Sequence, residues 1–239
     1  MYSAEKGNSS GKRSAEGNSN SVKRMNYYVP RDEIKSYKKP LGSHDKPRCK
    51  PRILVRRFAL TRTAYKYLDI GISVGPESFV ELHLGDIRGN HIILPHETWE
   101  IFIKRRVDIE RFLQSNTPSS LRIEYLVMEH VKIHDTSVVK LTVDDSCLYM
   151  KPATILFLFE LEHCINHEYL KLYENIEDVN ASFDQFVRCL QSNMPSAMRE
   201  DAVKILRDVC DKTSIIDCEL VAYAVDELLC ETLKRGDVW

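Results

Sequence analysis

No run of 18 apolar residues occurs in the chain, so no segment can cross a bilayer as a helix. The first residues, MYSAEKGNSSGKRS, lack the apolar stretch of a signal peptide, and secretion is not expected. The seven cysteines are scattered, odd in number and without a CxxC pair. In a reducing compartment that pattern implies free thiols, most of them small core fillers, and no disulfide framework. The signatures GxxxxGK, GxGxxG, GxSxG and HExxH are all missing, so an enzyme is not expected. Asp144-Asp145 has the look of a turn, not of a carboxylate pair. What is present is ordinary for a globular chain: 239 residues, 43% of them hydrophobic, enough for a core in one or two domains.

Charge is unevenly placed. Residues 1–66 hold 17 Lys/Arg against 5 Asp/Glu, whereas residues 67–239 hold 17 against 30. A basic arm thus precedes an acidic body. Such arms attract polyanions, usually nucleic acid, by neutralising phosphates and releasing counterions. The same pattern serves nuclear import alone, or a solvated tail. A nuclear protein is expected on either of the first two readings.

Residues 1–25 offer almost nothing to bury, and 26–51 add four prolines among many cations. Residues 1–51 are therefore expected to form a disordered basic arm. From Arg52 the pattern changes. RILVRRFAL, YKYLDIGISV, SFVELHLGDI and NHIILP predict four strands, separated by turn residues at 61–63, 75–77 and 88–90. After Pro95, Trp99, Phe102, Ile103, Ile109, Phe112 and Leu113 share one helical face, which predicts a helix ending before Asn116-Thr117-Pro118. The order then repeats. Leu121 to Val127, Met128 to Ile133, Val138 to Val143 and Cys147 to Lys151 predict strands, of which the first two are equally consistent with one long strand. A long helix follows Pro152. Setting Pro95 on Pro152 aligns IILPHETWEIF with YMKPATILFLF. The fold class implied is α+β: two tandem antiparallel-sheet-plus-helix units, 52–115 and 116–193, forming an intramolecular pseudo-dimer. In each unit the helix is expected to cover one face of its own sheet and to leave the other open.

Beyond Ile176, VNASFDQFVRCL, AMREDAVKILRDVC and IIDCELVAYAVDELLCETLK predict further helices. Ser214 and Asp217 stand at capping-box spacing, with Asp a weaker partner than Glu or Gln. Residues 194–239 are expected to form a helical hairpin, which either packs on the body or serves docking or dimerisation.

Three short motifs occur in one order: Tyr67-Leu68-Asp69-Ile70-Gly71 opening a strand, Ile92-Ile93-Leu94-Pro95-His96-Glu97-Thr98-Trp99 passing from strand into helix, and Val107-Asp108-Ile109 later in that helix. Over residues 52–115 this resembles the C-terminal domain of positive cofactor four, the transcriptional coactivator that binds single-stranded DNA. The family's Lys- and Gly-rich hairpins correspond to Gly75-Pro76-Glu77-Ser78 and Gly85-Asp86-Ile87-Arg88-Gly89-Asn90, which carry fewer cations. The family acts as a homodimer of single units. A chain holding both units is similar to the tandem arrangement of Pur-type and Whirly-type proteins.

The resemblance implies curved sheets that offer aromatic and cationic side chains to unpaired strands. Unstacked bases need flat partners, and the backbone needs positive charge. On the first unit the candidates are Arg56, Arg57, Phe58, Arg62, Tyr65, Lys66, Tyr67, Phe79, His83, Arg88 and His91, with Lys132, Lys140 and Tyr149 on the second. Arg56, Arg57, Arg62 and Lys66 stand out, since they are hard to bury and sit where the arm meets the strands. Tyr67, Phe79 and Tyr149 fit either core or stacking platform, because alternation does not say which face is covered. Trp99 is assigned to the core. Six Lys/Arg against twelve acids across 116–190 suggest that the second sheet serves packing more than binding. His163 and His167, one helical turn apart beside Glu160 and Cys164, resemble half a zinc site without a second ligand pair. No cofactor or metal is implied.

The expectation is a non-enzymatic nuclear protein that binds single-stranded or melted DNA, or RNA, with little sequence preference. Proteins of the transcription machinery are its further expected partners, with no membrane, and it is a monomeric pseudo-dimer or a homodimer. Two alternatives differ in class. One is a nuclear interaction adaptor whose fold has lost nucleic-acid binding; the other is a zinc-dependent hydrolase, which requires bound metal.

Overall fold

A computed structural model describes residues 50–115, 119–133, 136–193 and 199–236. The basic arm expected over 1–51 lies outside them, apart from Lys50 and Pro51. The described residues belong to one compact unit that begins at Pro47.

The fold is α+β, with two four-stranded antiparallel meanders. The first contains β1 (Arg52–Ala59), β2 (Lys66–Ser73), β3 (Phe79–Asp86) and β4 (His91–Leu94) in that order. The second repeats it with β5 (Ser120–Ile123), β6 (Leu126–Ile133), β7 (Thr136–Val143) and β8 (Ser146–Met150). Helices α1 (His96–Lys104) and α2 (Arg106–Gln114) follow the first sheet; α3 (Pro152–Glu160), α4 (Glu162–Glu174) and α5 (Ile176–Asn193) follow the second. The C-terminal part holds α6 (Arg199–Val209), α7 (Ile215–Tyr223) and α8 (Val225–Gly236).

Two tandem sheet-plus-helix units are therefore present, with local corrections. The long strand or early break expected in the second unit gives way to a hairpin at Glu124-Tyr125. Glu124 takes a positive φ of 48° there. Neither residue is a usual turn former, so the sequence carried no flag. Aligning the two prolines also proves one residue out of register. Pro95 is the N-cap of α1, whereas Pro152 is the first residue of α3. The last strand residues, Leu94 and Met150, are both buried and correspond.

The helices do not cover their own sheets. α4 packs on β2 and β3 of the first sheet, while α1 reaches β5 of the second. Phe112 of α2 stacks on His130 of β6 at 4.3 Å, and the Arg105 guanidinium donates to the carbonyl of Arg122 at 2.9 Å. A single residue, Pro95 or Lys151, joins strand to helix in each unit. So short a link leaves little room for a helix to turn back over its own sheet, and α1, α2 and α4 reach the other sheet. The exchange merges both units into one core, in which Trp99 is 1% exposed and its indole N–H donates to Asn166 of α4 at 3.3 Å.

The C-terminal part packs on the body. α6, α7 and α8 surround α5, and α7 also lies along β1. In place of a two-helix hairpin there are three helices, because the last predicted helix breaks at Ala224. Ser214 caps α7, accepting the Asp217 backbone N–H at 3.2 Å. The six described cysteines are free, but none is fully buried, which corrects their role as core fillers.

Candidate nucleic-acid interface

Antiparallel pairing divides the first sheet cleanly. Leu68, Ile70, Ile72, Leu82, Leu84, Ile92 and Leu94 face the helices. Arg57, Tyr67, Asp69, His83 and His91 share the opposite face. Arg56 and Arg57 are neighbours in sequence and so point to opposite sides. Arg56 lies on the helix-packed side, its side chain 55% exposed, ion-paired with Glu168 of α4 and set over the Phe58 ring at 5.0 Å.

On the uncovered side, the charges are tied together. Arg57 donates to both carboxylate oxygens of Asp69 at 2.7 and 2.8 Å and lies 3.7 Å from the centroid of Tyr67. The bonds to Asp69 outweigh desolvation and hold the guanidinium above its ordinary pKa. Arg52 adds a second cation 3.5 Å from Asp69, which is itself 1% exposed. Tyr67 lies flat because Gly85 leaves room: a Cβ there would stand 2.7 Å from the ring. His83 is buried, burial pushes its pKa down against the pull of Glu81, and its ring bonds to Glu81 at 2.8 Å. His91 stacks on it at 5.6 Å. Phe79 is half exposed at the start of β3, with the Lys50 ammonium 5.3 Å from its centroid.

A second neighbourhood lies where the β1–β2 and β3–β4 turns of the first sheet meet the second sheet. Asp86 builds the β3–β4 turn, accepting the backbone N–H groups of Arg88 and Asn90 at 3.0 and 3.1 Å. Gly89 supplies the positive φ of 86° that the turn needs. Burial alone would raise the Asp86 carboxyl, but Lys66 at 2.9 Å and Asn90 outweigh it and hold the pKa below its ordinary value. The Tyr65 ring lies 5.3 Å from the Lys66 ammonium and 6.0 Å from the Arg88 guanidinium. Tyr149, 40% exposed, and Lys151 face these residues from the second sheet. Together with Thr61, Asn90, Ile133 and Thr154 they line a groove of about 460 Å³.

The structure thus brings Tyr65, Lys66 and Arg88 to one groove, and Arg57, Tyr67, His83 and His91 to one sheet face. Arg62 stands exposed on the β1–β2 turn. Lys132 is exposed near the end of β6, and Lys140 pairs with Glu129 across strands at 3.5 Å. Lys151 was missed as a candidate. Its only signal was its place between strand and helix, beside Tyr149. His163 and His167 are exposed on α4, and no cluster of three metal-ligating side chains occurs among the described residues. The chain matches no family model, no curated protein and no solved structure.

Proposed function

We propose that the protein binds single-stranded or melted nucleic acid in the groove between its two sheets, with little sequence preference and without catalysis. The observation that carries this reading is the convergence of Tyr65 and Tyr149, from different sheets, with Arg88 and Lys151 on one open groove. The two rings can stack on unpaired bases, and the cations of the same groove can pair with phosphates. Stacking does not discriminate strongly among bases, so sequence preference is weak. The likeness of residues 52–115 to the single-stranded-DNA-binding coactivator supports a nuclear role in transcription.

A gel-shift salt series on the full-length protein, with single-stranded and duplex oligonucleotides, tests it. Tyr65→Ala and Tyr149→Ala each lower single-strand affinity by about tenfold, the value of one stacked base. The double change Arg88→Ala, Lys151→Ala flattens the logarithmic salt slope by about 1.4. Unchanged affinity in all of these variants removes the groove from consideration.

One observation favours an interaction adaptor instead. Arg56, Arg57 and Lys66 are engaged by Glu168, Asp69 and Asp86, which leaves fewer cations for phosphates. On that reading the groove variants leave oligonucleotide binding untouched, and what binding exists resides in the basic arm.

A further inference from the structure

On the far side of the first sheet from that groove, a pocket of about 290 Å³ opens between β3, the first turn of α1 and the end of α4. Aliphatic side chains such as Ile93 and Ile176 share its walls with four rings. Tyr169 and Tyr173, one helical turn apart, have ring centroids 6.1 Å apart, and His96 stacks on Tyr169 at 3.5 Å. Phe79 closes the β3 side. Among the described residues, the acidic and basic side chains lining it are two carboxylates, Glu81 and Glu97.

No Lys or Arg lines the pocket among the described residues. Glu81 bonds to His83 at 2.8 Å, an imidazole whose pKa burial lowers. Burial likewise depresses His96, against the pull of Glu100 and Glu97, with Lys104 acting in the same direction as burial. Lys104 is itself paired with Glu100 at 3.3 Å. The Tyr169 hydroxyl is raised by burial and then by Glu97, Tyr173 and Glu100, the response of an acid in a negative field. Aromatic faces carry negative charge as well, so rings and carboxylates favour the same visitor. The structure holds one example at the rim, where the Lys50 ammonium approaches the Phe79 ring at 5.3 Å.

We propose that this pocket binds an alkylammonium group, namely a lysine side chain of a partner protein, methylated or not. Its volume lies at the lower edge of ligand sites, about 300 Å³, and suits one side chain better than a cofactor. A phosphate is repelled by both carboxylates, which separates this site from the nucleic-acid groove and disfavours a phosphocholine headgroup.

Calorimetric titration of the full-length protein with acetyl-trimethyllysine amide, acetyl-lysine amide, the neutral acetyl-norleucine amide, phosphocholine and AMP tests the proposal. Saturable binding of at least one lysine amide is expected, with norleucine amide about tenfold weaker and neither phosphate compound bound. Tyr173→Ala weakens the lysine amide about fivefold and Glu97→Gln about threefold. Both residues are exposed, circular dichroism confirms folding, and oligonucleotide affinity stays unchanged in both variants. Equal binding of norleucine amide, tighter binding of phosphocholine or AMP, no binding of either lysine amide, or indifference to both substitutions overturns it.

Discussion

Matched at Leu94 and Met150, the two sheets share their pairing but not their outer chemistry. The row Arg57, Asp69, His83, Ile93 on the first sheet corresponds to Ser120, Glu129, Lys140, Tyr149 on the second. The next row, Tyr67, Gly85, His91, corresponds to Val127, Thr142, Cys147. The first sheet seals itself. Gly71 and Gly85 let Val55 and Tyr67 lie flat, and Asp69 disappears beneath two arginines. The second sheet has Val131 and Thr142 at the glycine positions, and its Lys140–Glu129 cross-strand ion pair stays part exposed. The lesson is that topology needs only the buried rows. The outward rows are free to diverge, and here they leave the groove aromatics on the last strand of one sheet and on a turn of the other.

The sharpest way to break this comparison is to exchange the small residue that seals the first sheet. A Cβ at Gly71 would stand 2.8 Å from Val55 Cγ2 and 3.2 Å from the backbone at Ile53 and Val55. Gly71→Val is expected to destabilise by about 3 kcal/mol through overpacking. The reciprocal Val131→Gly costs about 1 kcal/mol. Urea midpoints measure both, and equal losses would mean that the two faces are packed alike.

Removing one acid from each face comes next. Asp69→Ala strips a buried carboxylate from two arginines and is expected to cost about 2 kcal/mol. Glu129→Ala breaks a pair that is 31% and 44% exposed and costs below about 1 kcal/mol. Thermal unfolding of the two variants decides whether the first sheet depends on its charge network more than the second.

The smallest effect is on pH dependence. Burial lowers the His83 pKa in the folded state, so the unfolded chain binds that proton more readily. Stability from this site is full above the ordinary histidine value of about 6.5 and declines as the pH falls below it. His96 acts in the same direction, and Asp86, also lowered, adds a second loss only below about pH 4. His83→Gln therefore flattens stability between about pH 7 and 5, whereas Lys140→Gln at the matching position leaves that slope alone. Parallel curves for the two variants would show that His83 is not the group responsible.

Much of the fold was legible because buried strands and helices write themselves as periodic apolar rows. Leu68, Ile70 and Ile72 alternate, and Trp99, Phe102, Ile109 and Phe112 are all buried, although the single helix read there breaks at Arg105 into α1 and α2. The Glu124-Tyr125 hairpin was not legible, since its backbone is set by the pairing of Ile123 with Leu126 rather than by a turn residue. Site residues were harder to place. Arg56, Arg57 and Lys66 are all cations, and only coordinates show that each faces an acid. Lys151 gained its place in the groove from the first sheet, more than 60 residues earlier in the chain.

The amino-acid sequence by itself determined a duplicated meander with helices after each, because hydrophobic periodicity and turn residues act over a few neighbours. It also determined the split between basic arm and acidic body, which is a matter of counting. Only the tertiary structure decided that the helices cross to opposite sheets, which outward rows are sealed, and which aromatic side chains meet across a groove or a pocket. Those outcomes depend on distances between residues far apart in the chain, set by one-residue links and by side-chain volume at Gly71 and Gly85.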